Sequence, residues 1–530
     1  MPHPRRVSKD ARTSPLPGFR SSVHKIIETA IEKNDLDFFY RLYLTRMAEL
    51  SLTGQGEEFI KYAKSSLDDS QNSLFMAKGF EAIGNLIDLN FMQCINILNE
   101  LEILTRNNEI KVWVDQISNL CRAYINFHNG NYQTSLKHAE ISINSPIKSG
   151  TLDPMDKGRL IRLVACIGLI TSDTKKIDKC AEDILAIDNP DNLSVLDQAK
   201  SAIKSMQLLS QGEYKQAFEL AKTTIALEEA AGRVGVASPF DCKFVVIRCL
   251  YEFSMVNEAL DEIQKLRNEG EKNDFKFVRY LCEVGEIRIL SRIPNSHDQI
   301  SKKVNALRDE LLKNPDLKAM TWLVDLAEFF AKSLSNDLGR INTIIERNPE
   351  FTYLQQISKS VLERHKQVDI DKYKGLPENT AYEVIRKNLH LSKVKGEGVK
   401  KQREYLKKAL DKGEQVGALE IFLRQDNSTL EAIINLSSSS KSIWLESLSR
   451  FAIERIQERN RRAKISGDQL TSREIEVLKY LVSENSISSI GQTLHISKDT
   501  MNTHLRNIYR KLDVNGRNEA ARKAKENFII

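Results

Sequence analysis

The chain has 530 residues, 41% of them hydrophobic and 28% charged, with a formal net charge of +6. This is the composition of a folded globular protein, long enough for several domains or one long repeat array. It contains no apolar run of about 18 residues, which excludes a membrane-spanning helix. The seven cysteines are odd in number and scattered, with no Cys-x-x-Cys. They read as reduced core thiols of a cytoplasmic protein, not as a disulfide framework or zinc site.

The first stretch, "MPHPRRVSKDARTSPLPGFR", has five bases, one acid and several prolines, and no apolar core of a secretory leader. Residues 1–20 are expected to form a disordered basic arm. From Arg455 to Ile530 there are 15 Lys and Arg against nine Asp and Glu. The stretch between, 21–454, is net negative. The positive excess therefore sits at the two ends, which makes the ends the candidates for contact with an acidic polymer.

The middle repeats one idea. "FHNGNYQTSLKHAEISI" and "LSQGEYKQAFELAKTTI" both carry Gly, then Tyr two residues on, then a small residue, then Ala. The positions are Gly130, Tyr132, Ser135 and Ala139, and Gly212, Tyr214, Ala217 and Ala221. Gly closes one helix in a left-handed turn, Tyr fills the crotch of the hairpin, and small residues let the paired helix approach. Weaker copies put Asn90, Ser172, Ser254, Asn295 and Asn336 at the turn. The spacing of roughly 41 residues predicts a stacked helical-hairpin solenoid without strands.

The Gly-x-Tyr-x-x-small pattern resembles tetratricopeptide repeats, with longer helices. "KKALDKGEQVGALEIFLRQDNSTLEAIINL", Lys407 to Leu436, resembles the closing helices of the repeat domain of MalT-type regulators, through Gly417, Phe422-Leu423 and Ile433-Ile434. The resemblance places a helical-repeat domain over 21–436. Its concave face is expected to bind a ligand, peptide or protein.

"SSSS" at 437–440 breaks the pattern, and a linker and connecting helix over 437–465 follow. That helix ends in Arg459, Arg461, Arg462 and Lys464. The run suits a solvated helix end and also contact with phosphates.

In "LTSREIEVLKYL", Thr471 and Glu474 form a capping box, with Leu470 and Ile475 as its staple. Ile475, Leu478, Leu481 and Val482 are the expected buried stripe. A short helix near 486–494 puts Ile490 and Leu494 inward, and Ser497 caps the next helix, 497–512. There Met501, Leu505, Ile508 and Leu512 make one apolar stripe. The other face carries Asn502, Thr503, Arg506, Asn507 and Arg510 with almost no acid. Helix, tight turn and a helix with a polar outer face is the helix-turn-helix arrangement.

"LTSREIEVLKYLVSENSISSIGQTLHISKDTMNTHLRNIYRKLDVNGRNEAARKA" is similar, without a gap, to the LuxR/FixJ-type DNA-binding domain. The resemblance covers about the last 65 residues. It departs at Glu484-Asn485, Ser488-Ser489, Met501-Asn502 and His495, where the family's turn glycine is replaced by a residue expected to adopt a strained positive φ. It implies a small four-helix domain over 466–530, in which Asn502, Thr503 and Arg506 read base edges. Lys498, Thr500, Asn507, Arg510 and Lys511 are placed for phosphates. His504 is expected to pack. The last helix, Asn518 to Asn527, with Ala520, Ala521 and Ala524, resembles the family's dimer helix.

No Gly-x-x-x-x-Gly-Lys-Ser/Thr, His-Glu-x-x-His or Gly-x-Ser-x-Gly motif occurs. The ATPase of MalT-type regulators is therefore missing, and neither cofactor nor metal nor catalysis is expected. The sequence describes an all-α, cytoplasmic bacterial transcription regulator. The resemblance implies that it reads double-stranded promoter DNA as a homodimer, and its repeats are expected to bind a regulatory ligand or protein partner. The alternative is a repeat scaffold or peptide-binding protein whose tail mediates protein interaction.

Overall fold

The computed structural model describes residues 71–348 and 373–526, apart from short connecting segments between helices. The expected basic arm at 1–20 lies outside the described residues. Among the described residues the regular structure is helical, as the sequence pattern requires, and none of the helices is long and apolar enough to cross a membrane. The chain divides into two compact units. The first is drawn from residues up to 251, 255–282 and 314–320, the second from 252–254, 283–313 and 321 onward.

The first unit begins with α1 (Gln71–Ile87), α2 (Phe91–Leu104), α3 (Lys111–His128), α4 (Tyr132–Asn144), α5 (Pro154–Thr171), α6 (Thr174–Leu185), α7 (Ser194–Gln211) and α8 (Tyr214–Ala230). Next in the chain are α9 (Phe240–Glu252), α10 (Val256–Lys272) and α11 (Lys276–Leu290). Each of α1 to α7 packs on its successor. In addition α1, α3, α5 and α7 pack on one another in order, as in a stack of helical hairpins.

The reversals have one physical cause. A helix end leaves its last carbonyls without partners. Five of these ends are closed by a residue in the left-handed conformation: Leu89 (φ 61°), Gly130 (75°), Ser172 (56°), Gly212 (83°) and Ser254 (59°). The next N–H then reaches back into the helix: Asn131 N to Asn126 O at 2.8 Å, Asp173 N to Gly168 O at 2.8 Å, Glu213 N to Leu208 O at 2.9 Å. The residue that makes this bond also starts the following helix, and Asp173 accepts from Lys176 N at 3.1 Å as it does so. The left-handed positions recur every 40–42 residues, which is the period in the sequence. In the first copy the turn residue is Leu89, one place earlier than expected, because Asn90 serves as the N-cap of α2. Asn295 and Asn336 lie outside the described residues.

Small residues close the hairpins. Ser135, Ala139, Ala217 and Ala221 have no exposed surface, and Ser135 Oγ donates to Ala123 O of α3 at 2.7 Å. Tyr214 is buried, whereas Tyr132 is only half-buried. Gly130 is required twice over, since a Cβ there would meet Met320 Cγ at 2.5 Å. All seven cysteines are buried, and none is in a disulfide.

Two buried polar features stand out in the first unit. Arg162 of α5 donates from Nε and Nη2 to Asp241 at 2.7 Å each, and from both Nη to Glu228. One fork thus holds the end of α8 and the start of α9. His128 is 6% exposed and lies nearly parallel to the rings of Phe91 (centroids 5.8 Å apart) and Phe275 (5.1 Å). Its Nδ1 has no partner among the described residues. Burial pushes its pKa down to about 4.

The second unit holds α12 (His297–Lys313), α13 (Thr321–Ser333), α14 (Leu338–Arg347), α15 (Ala381–Leu391), α16 (Gly398–Val416), α17 (Glu420–Leu423), α18 (Asn427–Ser437) and α19 (Ile443–Ile465) ahead of the tail. Gly417 (φ 79°) ends α16, and Ala418 N bonds back to Gly413 O at 2.9 Å. A Cβ on Gly413 would lie 2.7 Å from Phe422 Cζ, so this glycine lets α16 touch the buried Phe422, which meets Trp444 edge-on at 5.8 Å. The expected break at 437–440 starts later, since α18 runs through Ser437.

Arg459 does not face outward for phosphates. It donates to Leu423 O at 3.1 Å, Gln425 O at 2.7 Å and Asn427 Oδ1 at 3.0 Å, satisfying carbonyls that the short α17 leaves open. Beside it Arg455 reaches Glu420 at 3.5 Å, and Arg424 pairs with Glu252 at 2.9 Å. The first pair holds α19 to α17, and the second holds the end of α17 to the helix end at 252–254.

Two outcomes check this reading. Ser172→Gly should raise stability by about 1 kcal/mol, because glycine adopts the φ of 56° without a Cβ clash. Thermal unfolding measures it. For His128 the folded pKa of about 4 lies below the free value of 6.5. The neutral ring therefore contributes stability above pH 6.5 that is lost as pH falls toward 4, at up to roughly 1.4 kcal/mol per pH unit. His128→Phe should flatten the fall in melting temperature between pH 7 and pH 5.

Candidate nucleic-acid interface

The tail contains α20 (Ser472–Leu481), α21 (Ile487–Thr493), α22 (Lys498–Leu512) and α23 (Arg517–Glu526). Side-chain caps start three of them. Thr471 Oγ1 accepts from Glu474 N at 3.2 Å while the Glu474 carboxylate accepts from Thr471 N at 2.7 Å, so the expected capping box is present. Ser486 Oγ accepts from Ser489 N at 3.1 Å, and Ser497 Oγ from Thr500 N at 3.2 Å. The four helices close around their own core of Val477, Leu478, Leu481, Ile490, Leu494, Met501, Leu505, Ile508, Leu512, Val514, Ala520 and Ala524.

The inward stripe of α20 differs from the expected one. Ile475 and Val482 are half-buried, and the buried positions are Glu474, Val477, Leu478 and Leu481. A carboxylate within an apolar stripe needs a partner. It has one in Lys511, whose Nζ donates to Glu474 Oε2 at 2.8 Å, with the side chains 13% and 3% exposed. Burial alone pushes the Glu474 carboxyl up, but hydrogen bonds from Lys511 and Thr471 outweigh it and hold it below the usual range. The sequence hint is that Lys511 follows Ile508 by three residues, on the flank of the buried stripe.

Two more arginines join helices by capping carbonyls. Arg473 Nη2 donates to Leu494 O at 2.5 Å and Arg517 Nε to Leu481 O at 3.0 Å. Ala520 and Ala524, expected at a dimer contact, have no exposed surface and belong to the domain's own core, where small side chains let α23 approach α20 and α22. Ala521 is half-buried, and Asn518 and Arg522 are exposed. His504 is half-buried. His495 lies outside the described residues.

The remaining face of α22 is open. Lys498, Thr500, Asn502, Thr503, Arg506 and Arg510 are exposed, and Asn507 is half-buried. The positions 499, 502, 503, 506 and 510 follow the helical repeat and lie opposite Met501, Leu505, Ile508 and Leu512, which are at most 6% exposed. Thr503 Oγ1 donates to Asp499 O at 2.9 Å, which fixes its rotamer and leaves the oxygen lone pairs outward. The structure thus brings Asn502, Thr503 and Arg506 onto one solvent face and turns Lys511 away from it. Among the described residues no group of three or more His, Cys, Asp or Glu could hold a metal ion.

Residues 468–524 match the luxR family of bacterial regulatory proteins. The C-terminal domain is of the LuxR type. The transcriptional regulatory protein LiaR of Bacillus subtilis (strain 168) is 38% identical over 63 residues, which are 12% of this chain and 30% of LiaR. The chain thus spans about a third of the length of this curated relative. The family match begins at 468, so the tetratricopeptide-like and MalT-type resemblances of the middle rest on sequence pattern.

Lys511→Met should destabilise the LuxR-type domain by about 3 kcal/mol, because it leaves the Glu474 carboxylate buried without its cation. Adding Glu474→Gln should return part of the loss. Thermal melts of the single and double variants measure both.

Proposed function

We propose that this chain is a DNA-binding transcription regulator whose LuxR-type domain reads promoter DNA in the major groove with α22. The carrying observation is the open face of that helix, with Asn502, Thr503 and Arg506 on a rigid, fully cored support. Asn suits adenine and Arg suits guanine through paired hydrogen bonds. Lys498, Thr500, Asn507 and Arg510 surround this face as phosphate contacts, which position the helix without reading sequence. Lys511, assigned to phosphates on sequence grounds, would have to leave Glu474 to reach one. We give it the internal role.

In this reading the chain comprises a repeat domain over 21–436, a connector over 437–465 and the DNA-reading domain over 466–530. No catalytic step is assigned. The signal enters by binding of a ligand, peptide or protein to the repeats, and a homodimer reads two half-sites. Such a ligand shifts DNA binding only through its differential affinity for two arrangements of the chain. The clamp of Arg455 and Arg459 on α19 supports a connector that transmits repeat packing and does not act as a slack tether.

Arg506→Ala should cost roughly 1–3 kcal/mol at one base position and relax preference there, while Arg510→Ala should weaken selected and random duplexes alike. Shift assays on a duplex selected by the wild-type chain from a random pool measure this. Equal losses for both variants on both duplexes would remove the base-reading assignment.

A further inference from the structure

Charge summed over long stretches hides a third basic region. Residues 21–454 are net negative, yet from Lys400 to Lys408 five of the six charged residues are basic: Lys400, Lys401, Arg403, Lys407 and Lys408, with Glu404 the exception. All five are exposed on α16. Lys400, Arg403 and Lys407 stand at i, i+3 and i+7, a ridge about 10 Å long at 1.5 Å per residue. Arg386, on the α15 helix packed beside α16, is exposed as well.

The N-terminal half of α16 is an electrostatically unfavourable place for these cations. They crowd its N-terminal half, where the helix dipole favours acids, and its first turn holds no acid. Like charges at i+3 (Lys400 and Arg403) and i+4 (Arg403 and Lys407) add mutual repulsion, which Glu404 offsets in part. None of Lys400, Arg403 and Lys407 takes part in an ion pair of the described residues, in contrast to Lys303, Arg308 and Lys393, which are paired with acids distant along the chain. The buried face of α16, with Leu406, Ala409 and Leu410, holds the helix in place without them. A polyanion would relieve the repulsion.

We propose that the basic ridge of α16 is a second, sequence-independent contact for the DNA backbone. This inference rests on the DNA-binding reading of the tail, which brings duplex phosphates to the chain. The ridge has the chemistry of phosphate contact and not of base readout. Lys400 and Lys407 are flexible point charges, and Arg403 stands between them on the same exposed helix face. One α22 helix offers few base contacts, so backbone contacts elsewhere in the chain supply affinity.

The test uses the full-length protein and two duplexes of equal length, one selected by it and one random. Affinity is followed from low to moderate salt for wild type, Arg506→Ala and the triple variant Lys400→Gln, Arg403→Gln, Lys407→Gln. The triple variant should lose affinity for both duplexes by the same factor. Its plot of log K against log salt should be less steep by about 2–3, since each lost phosphate contact removes about 0.9 from the slope. Helix content and melting temperature should be unchanged or raised, because like charges are removed. A slope equal to wild type overturns the inference. If Arg506→Ala then still loses the selected duplex alone, the tail reading stands and only the α16 contact falls. If wild type binds neither duplex, both fall. Binding of poly-glutamate by wild type but not by the triple variant, with an unaltered DNA slope, also overturns it and makes the ridge a surface for acidic proteins.

Discussion

A helix that ends inside a protein must find partners for its last carbonyls, and the way this chain meets that requirement organises its repeats. A single residue turned to positive φ lets the following N–H reach back into the helix, and the same residue that makes the bond begins the next helix. The connection is so short that successive helices reverse and lie against each other. Small residues then become obligatory on the partner helix, which is why Ser135, Ala139, Ala217 and Ala221 are fully buried. The period, the packing and the choice of small side chains follow from one backbone constraint.

The LuxR-type domain meets the same requirement with side chains. Glu474 is both the second half of a capping box and the buried partner of Lys511, so one carboxylate fixes the start of α20 and the far end of α22. Arg473 and Arg517 each close the carbonyl end of a neighbouring helix. Helix α22 is thereby held at its polar flank as well as by its apolar stripe. A helix fixed on both sides can present Asn502, Thr503 and Arg506 with little loss of freedom on contact, which is what readout by paired hydrogen bonds requires.

Arginines and lysines divide by surroundings. Arg162, Arg424, Arg455 and Arg459 lie against buried carboxylates or carbonyls and join helices distant in sequence. Arg506 and the ridge of α16 face solvent. Nothing in the local sequence separates the two groups, since "RFAIERIQERNRR" contains both Arg455 and Arg459 in a run that reads as an exposed basic helix end.

Much was legible in the sequence because it lies in local pattern. Helix period, left-handed turn residues, capping boxes and the apolar stripe of α22 depend on neighbours within a few residues, so the all-α class, the roughly 41-residue repeat and the face of Asn502, Thr503 and Arg506 could be read directly. The errors came from contacts across long separations. The stripe of α20 rotated to bury Glu474 because its cation arrives from 37 residues away. Lys511 turned inward for the same reason, and Ala520 and Ala524 went to the domain's own core instead of a dimer contact. Arg459 was claimed by carbonyls more than 30 residues back. Sequence alone determined which helices form and which faces are apolar or polar, through periodicity and capping. Which charged groups remain available to a partner was decided only by tertiary structure, because a buried carboxylate or open carbonyl takes the nearest cation in space, whatever its distance along the chain.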